Sequence, residues 1–175
     1  LAFFRAFPKE QYPDVQLLVK VRDTGQFPLK STSFIDGRIR IWAEDAEHMA
    51  DVYPAGDVFL FPAYGEGWGL PPREAAAMGV PVIAPRHTGM EDGIDSWATR
   101  VIETYSMQKA RMPSGGEWYV PSIDETAEHL RWCYHHRDEA RESGRQAAQW
   151  LRDNQTWDHA ASRLAEILRA SNGNL

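Results

Sequence analysis

The sequence holds one cysteine, Cys133, no long apolar run and no surplus of basic side chains. Each absence excludes a class of protein. A lone cysteine has no partner within the chain, so disulfides do not staple this fold. No window approaches the roughly 20 apolar residues of a membrane span. The opening "LAFFRAFPKEQY" lacks the charged, apolar, small-residue order of a signal peptide. A soluble, cytoplasmic protein is expected. With 25 acidic against 19 basic side chains and a net charge of -6, the chain lacks the basic stripe that a phosphate backbone demands, so nucleic acid is not an expected partner. Internal repeats and low-complexity segments are also missing. The chain opens on Leu1 rather than Met, as a processed or truncated piece would.

What is present is one domain's worth of alternating strand and helix signals, read as residues 1–175. The length of 175 residues suffices for a core without staples. "DVQLLVKV" (14–21), "RIRIW" (38–42), "DVFLFP" (57–62) and "PVIAP" (81–85) are short apolar runs of the kind buried on both faces of a parallel sheet. Helices are predicted over 43–56, ended by Pro54 and Gly56, and over 70–79. Residues 99–105 and 117–121 read as weaker, peripheral strands, with "TYSMQKARMPSGGEW" between them as a surface loop. From Ser122 onward the pattern is helical. Ser122 with Glu125 forms a capping box, and further helices are expected over 137–153 and over 156–170, the last opened by Thr156. The fold class is α/β, a Rossmann-like, mostly parallel sheet flanked by helices, with 122–171 its helical C-terminal part. One strand is missing from this pattern, because a parallel sheet seldom begins with a crossover helix such as "LAFFRAFPKEQY". In a Rossmann-like order it would lie between 14–21 and 57–62, so those two strands must pair directly or accept a strand from elsewhere.

The chemistry concentrates in "YGEGWGLPPREAAAMGVPVIA" (64–84). The strand 57–62 delivers this loop to the carboxyl edge of the sheet, where open α/β sheets bind ligands. Gly67 and Gly69 let backbone amides approach a ligand closely. Pro71 and Pro72 suit the first turn of a helix, which places Glu74 in that turn and Glu66 in the loop before it. A helix N-terminus favours a phosphate by roughly 0.3–2 kcal/mol. Carboxylates instead accept from hydroxyls, at roughly 1.5–3 kcal/mol per charged bond. A nucleotide sugar carries diols on both flanks of a diphosphate and would use both parts.

The string "DVFLFPAYGEGWGLPPREAAAMGVPVIAPRHTGMED" (57–92) resembles the donor-site signature of retaining glycosyltransferases of family 4, in which two glutamates separated by seven residues precede "E-A-A-A-x-G-x-P-V-I-A". "ADVYPAGDVFLFP", "EWYVPSIDETAEHLRW" and "DNQTWDHAASRLAEIL" are similar to further segments of the same family. The resemblance implies the C-terminal, donor-binding half of a two-domain GT-B fold, with the first strand and the acceptor-holding N-terminal domain absent. It implies Glu66 near the donor sugar, as the catalytic-site glutamate, and Glu74 on the ribose diol. The amides of Gly67, Trp68, Gly69 and Leu70 would line the sugar and diphosphate, and Ile41 and Trp42 would lie near the base. The family's diphosphate-clamping cations belong to the absent segment, for which Lys20, Arg22, Arg73, Arg86 or His87 could partly substitute. The implied reaction moves a hexose-type sugar from a UDP-, GDP- or ADP-sugar to a hydroxyl of a saccharide or lipid-linked acceptor, with no obligatory metal or other cofactor. No residue is assigned as a covalent nucleophile.

Plainer readings stand beside these. An acid in a first helical turn stabilises the macrodipole without any ligand, Glu66 could be a solvated loop carboxylate, and Trp68 a partly buried anchor. Cys133, His135 and His136 match no zinc spacing, and "EDGID" (91–95) lacks calcium-loop spacing. A non-catalytic assembly module completed by another chain, or by self-association, is an alternative function. A nucleotide-sugar epimerase or a phosphorylase is another. The intact glutamate signature opposes the epimerase, and the want of a recognisable pyridoxal-lysine motif opposes the phosphorylase.

Overall fold

The computed structural model describes residues 1–21, 37–43, 45–110 and 115–172. Its elements run α1 (Ala2–Ala6), β1 (Leu17–Lys20), β2 (Ile39–Trp42), β3 (Phe59–Leu60), α2 (Leu70–Ala77), β4 (Val82–Pro85), α3 (Ile94–Trp97), β5 (Arg100–Ile102), β6 (Tyr105–Lys109), β7 (Glu117–Pro121), α4 (Ile123–His135), α5 (Arg137–Asn154) and α6 (Trp157–Asn172). The fold is α/β, with parallel strands and helices on both sides.

β4 lies between β3 and β5 in a parallel sheet, in register Phe59 with Val82 and Ile83 with Arg100. Its four residues are all buried, as a continuous apolar run requires when both faces are covered. Alternation sorts the side chains. Val82 and Ala84 pack with Ala75 and Ala76 of α2 and with Ala147 and Leu151 of α5. Ile83 turns to the other face, with Ile102, and meets Cys133 of α4. Each large aliphatic side chain buried this way contributes roughly 1.5–3 kcal/mol. Small residues bring α5 close to the turn after α2, where a Cβ on Gly144 would overlap the Gly79 carbonyl.

β1 and β2 form a separate parallel pair. Direct pairing of 14–21 with 57–62 does not occur among the described residues: β1 bonds to β2 and β3 to β4. The two sheets share α4 instead, since Leu130 packs both against the α1 and β1 cluster and against the Ile83 side of β3–β5.

Three local expectations change. Over 43–56 the described chain forms two short 3-10 turns, Met49–Asp51 and Tyr53–Ala55, rather than one α-helix. Pro54, which has no N–H and clashes with the preceding turn, breaks the ladder. The expected loop after 104 begins instead as β6, paired antiparallel with β7 from Tyr105↔Pro121 to Lys109↔Glu117. All five β6 residues are exposed, so no burial periodicity marks this strand in the sequence. The capping box is half realised. Ser122 Oγ accepts from Glu125 N–H at 3.3 Å, but the Glu125 carboxylate takes the amides of Glu103 (3.0 Å) and Thr104 (2.7 Å), tying α4 to the end of β5.

α6 is exposed along most of its length, and its apolar residues Trp157, Leu164, Ile167 and Leu168 are 55–85 % exposed. No helix among the described residues is long and apolar enough to cross a membrane.

Candidate functional site

β3 hands the chain to the loop Pro62–Gly69, which ends at α2. Gly69 caps that helix with φ +73°, a left-handed conformation that favours glycine. A Cβ there would also come within 2.9 Å of Met90 Cγ. Gly67 differs, because a Cβ on it would meet nothing within 4 Å. The space beside Gly67 is therefore open rather than filled by protein. The amides of Gly67, Trp68, Gly69 and Leu70 make no hydrogen bond among the described residues. Pro71 and Pro72 fall in the first turn as expected, so Leu70 is the leading N–H of that helix end.

Glu74 sits beyond that first turn, which holds no acidic residue. A macrodipole role, which decays within one turn, does not account for it. Its Oε2 accepts from Tyr53 Oη at 2.6 Å. Burial raises the Tyr53 phenol well above its ordinary range, and the Glu74 carboxylate adds to the shift, so the hydroxyl stays a donor. Oε1 has no protein partner among the described residues, and the residue is exposed.

Glu66 is held by its backbone. Its N–H donates to Thr88 Oγ1 at 3.0 Å and its carbonyl accepts from Gly89 N–H at 3.0 Å, leaving the half-buried carboxylate for other work. Thr88 has φ +52°, a strained conformation for a β-branched residue, costing on the order of 1–3 kcal/mol. His87 supports it from behind. The ring is buried against Tyr119 at 5.0 Å, with Nε2 3.1 Å from the Ala63 carbonyl and Nδ1 3.3 Å from Thr88 Oγ1. Burial lowers its pKa against the opposing pull of the Ala63 carbonyl. A neutral ring protonated on Nε2 satisfies every bond in this chain, from Ala63 through His87 and Thr88 to the Glu66 amide.

Arg73 lies beneath the loop rather than facing solvent. Its guanidinium donates to the carbonyls of Trp68, Gly69 (3.5 Å), Gly89 (3.4 Å) and Asp92 (2.8 Å), and to Gln155 Oε1 at 3.1 Å. It is sandwiched between Trp68 at 4.2 Å and Trp97 at 4.8 Å. Its hydrogen-bonding capacity is thus spent on organising the loop, and it contributes a fixed positive charge behind the free amides. Burial lowers its pKa, opposed by Asp92. Trp68 itself stays 45 % exposed. Arg86 is likewise engaged within the protein, with Glu103 at 3.0 Å and with Asp95.

Lys20, Ile41 and Trp42 stand at the carboxyl ends of β1 and β2, in the separate two-stranded sheet, where Lys20 pairs in register with Trp42. Lys20 Nζ donates to the Val21 carbonyl at 2.9 Å and lies 6.0 Å from the Trp42 ring. Arg22 lies outside the described residues. No group of three or more His, Cys, Asp or Glu suited to a metal occurs among the described residues.

Against this geometry, a family model described as family 4 glycosyltransferase in conflict systems matches residues 33–164. The chain belongs to the family 4 glycosyltransferases. Among curated proteins, the D-inositol 3-phosphate glycosyltransferase of Corynebacterium kroppenstedtii is 38 % identical over 69 residues, covering 39 % of this chain and 15 % of that protein. Its counterpart from Corynebacterium jeikeium is 41 % identical over 49 residues, 28 % of this chain and 12 % of that protein. Two solved structures share the fold: sucrose-phosphate synthase from Thermosynechococcus elongatus (TM-score 0.68, 19 % identity, 99 % of this chain and 42 % of that one) and a glycosyltransferase from Rickettsia africae (TM-score 0.70, 17 % identity, 95 % and 42 %). The chain therefore spans less than half of either GT-B neighbour.

Tyr53, Thr88 and Gly89 are site-shaping residues that the sequence reading passed over. "RHTGM" follows β4 as the glutamate loop follows β3. Loops leaving adjacent strand ends meet at one sheet edge, and that was the available signal.

Proposed function

We propose that this family 4 chain is the donor-binding part of its glycosyltransferase, and that it holds a nucleoside diphosphate sugar over the Gly67–Leu70 amides. Glu74 Oε1 accepts from the ribose diol while Tyr53 fixes its other oxygen. The diphosphate lies on the amides and the end of α2, backed by the Arg73 charge, and the sugar reaches Glu66. The observation that carries this reading is the unfilled space and the free amides at Gly67, flanked by two carboxylates and held by Arg73 and Thr88. In the proposed reaction the bond between the sugar's anomeric carbon and the diphosphate oxygen breaks, the acceptor oxygen bonds to that carbon on the same face, and the acceptor's hydroxyl proton passes to the departing diphosphate. Glu66 acts by electrostatics and hydrogen bonding near the reacting sugar, with no covalent adduct. The reading needs no metal or organic cofactor and places the enzyme in the cytoplasm. An acceptor-holding domain completes the cleft, because transfer needs both reactants in one geometry; this chain alone is read as binding without turnover.

Calorimetric titration with UDP, GDP and ADP and their glucose or mannose conjugates tests it. Saturable binding of one nucleotide is expected, weakened about 10- to 100-fold by Glu74→Ala, the loss of one charged hydrogen bond. Binding untouched by that substitution, or absent from the folded protein, contradicts the assignment. An assembly role has one observation in its favour, the exposed Trp157, Leu164, Ile167 and Leu168 of α6. Such a surface is compatible with a donor site elsewhere on the chain.

A further inference from the structure

The β6–β7 hairpin stands out from the sheet, with every residue of β6 exposed, yet it is registered onto the glutamate loop. Tyr119 N–H donates to the Tyr64 carbonyl at 3.1 Å. That bond brings the ring of Trp118 to 5.7 Å from the ring of Tyr64, with their planes inclined at 48°. Tyr64 precedes Glu66 by two residues and keeps 44 % of its surface exposed. A pair serving only to pack the hairpin would cover both rings. Trp68, 45 % exposed, lies on the same loop. Tyr64 and Trp68, both exposed, and the half-buried Trp118 thus lie on the loop that carries Glu66 or on the strand bonded to it, and large exposed aromatics mark binding surfaces.

Carbohydrates are recognised by this combination. The axial C–H groups of a pyranose form an apolar face that rests on an aromatic ring, while its equatorial hydroxyls donate to a carboxylate. We infer that Tyr64 and Trp118 form an aromatic platform for a pyranose ring beside Glu66. This inference rests on the donor-site reading for what the ring is attached to. It rests on the hairpin geometry alone for the ring itself. The hairpin then serves as a specificity element, selecting a sugar by its stacking face rather than by its nucleotide.

Two titrations followed by the indole N–H resonance of Trp118, assigned by its disappearance in Trp118→Phe, separate the two claims. The probes are the methyl α-glycosides of glucose, mannose and N-acetylglucosamine without nucleotide, and then UDP, GDP and ADP against their glucose and mannose conjugates. A sugar should shift the Trp118 resonance. Trp118→Ala should weaken a sugar conjugate about 5- to 20-fold while leaving the free nucleotide unchanged, and Tyr64→Ala should act in the same direction. Sugar-dependent shifts with no nucleotide binding would support the platform and remove the donor reading. Nucleotide binding with Trp118 unmoved by every sugar, and equal losses for free and conjugated nucleotide in Trp118→Ala, would overturn the platform and leave the donor reading standing. Absence of both responses from folded protein overturns both.

Discussion

Replacing Arg73 with alanine is expected to destabilise the chain by about 3 kcal/mol or more, a large share of the roughly 5–15 kcal/mol available to a domain. Arg73 is 5 % exposed, and its guanidinium satisfies carbonyls of the glutamate loop and the Gly89–Asp92 segment and the side-chain oxygen of Gln155 beyond α5. Alanine leaves those acceptors unpaired, each costing roughly 1–3 kcal/mol where water cannot reach. It also removes the cation held between Trp68 and Trp97. Lysine keeps the charge, but as a compact ammonium with three donors it cannot span acceptors spread across a planar fork. Urea denaturation should therefore rank wild type above Arg73→Lys, and Arg73→Lys above Arg73→Ala. Equal midpoints for all three would show that the buried guanidinium does not hold the loop.

The second large effect is expected at Gly89, and its contrast is Gly67. A Cβ on Gly89 would overlap the Gly67 carbonyl and come within 2.8 Å of Trp68 N. Both obstacles are backbone, which cannot swing aside as a side chain does. Gly89→Ala must displace the loop that carries Glu66, at a cost of roughly 1–3 kcal/mol, and should abolish measurable binding of the nucleotide sugar. Gly67→Ala places its methyl in open space and should leave thermal stability close to wild type. In the proposed donor site that methyl stands where the ligand approaches the amides, so binding should still weaken at least ten-fold. The pair separates a glycine required by the protein from one required by the ligand. A destabilised Gly67→Ala, or a Gly89→Ala that binds normally, would show that the loop and the Thr88 turn do not meet as described.

The glutamate loop was legible in the sequence because its chemistry is local. Strand, glycine turn, Pro-Pro and helix follow one another without interruption from 57 to 79. β4 was legible for a similar reason, since full burial writes a continuous apolar run. The environment of each group was not legible. Arg73 reads as a cation near a phosphate site, and only the fold shows its five donors turned to carbonyls and Gln155. Glu74 reads as a helix-start acid, but with Gly69 as cap and Leu70 as the first helical residue it is the fifth residue of α2 and falls past the first turn, within reach of Tyr53. Tyr53 itself belongs to a segment that Pro54 converts from helix to 3-10 turns. β6 escaped because an exposed strand needs no apolar alternation and is defined by a partner a dozen residues away. Pairings of this kind depend on tertiary packing, which local propensity does not encode.

The most direct test of the donor site is where the diphosphate falls. In an amide-resolved NMR titration with the nucleotide identified by calorimetry, the Gly67, Trp68, Gly69 and Leu70 resonances should shift furthest, together with that of Glu74. The other end of α2 offers a built-in alternative, an open groove lined by Met78, Gly79, Arg145 and Arg152. Shifts centred on Gly67–Leu70 are the predicted result. Shifts centred on Arg145 and Arg152, with Gly67–Leu70 unmoved, would contradict it.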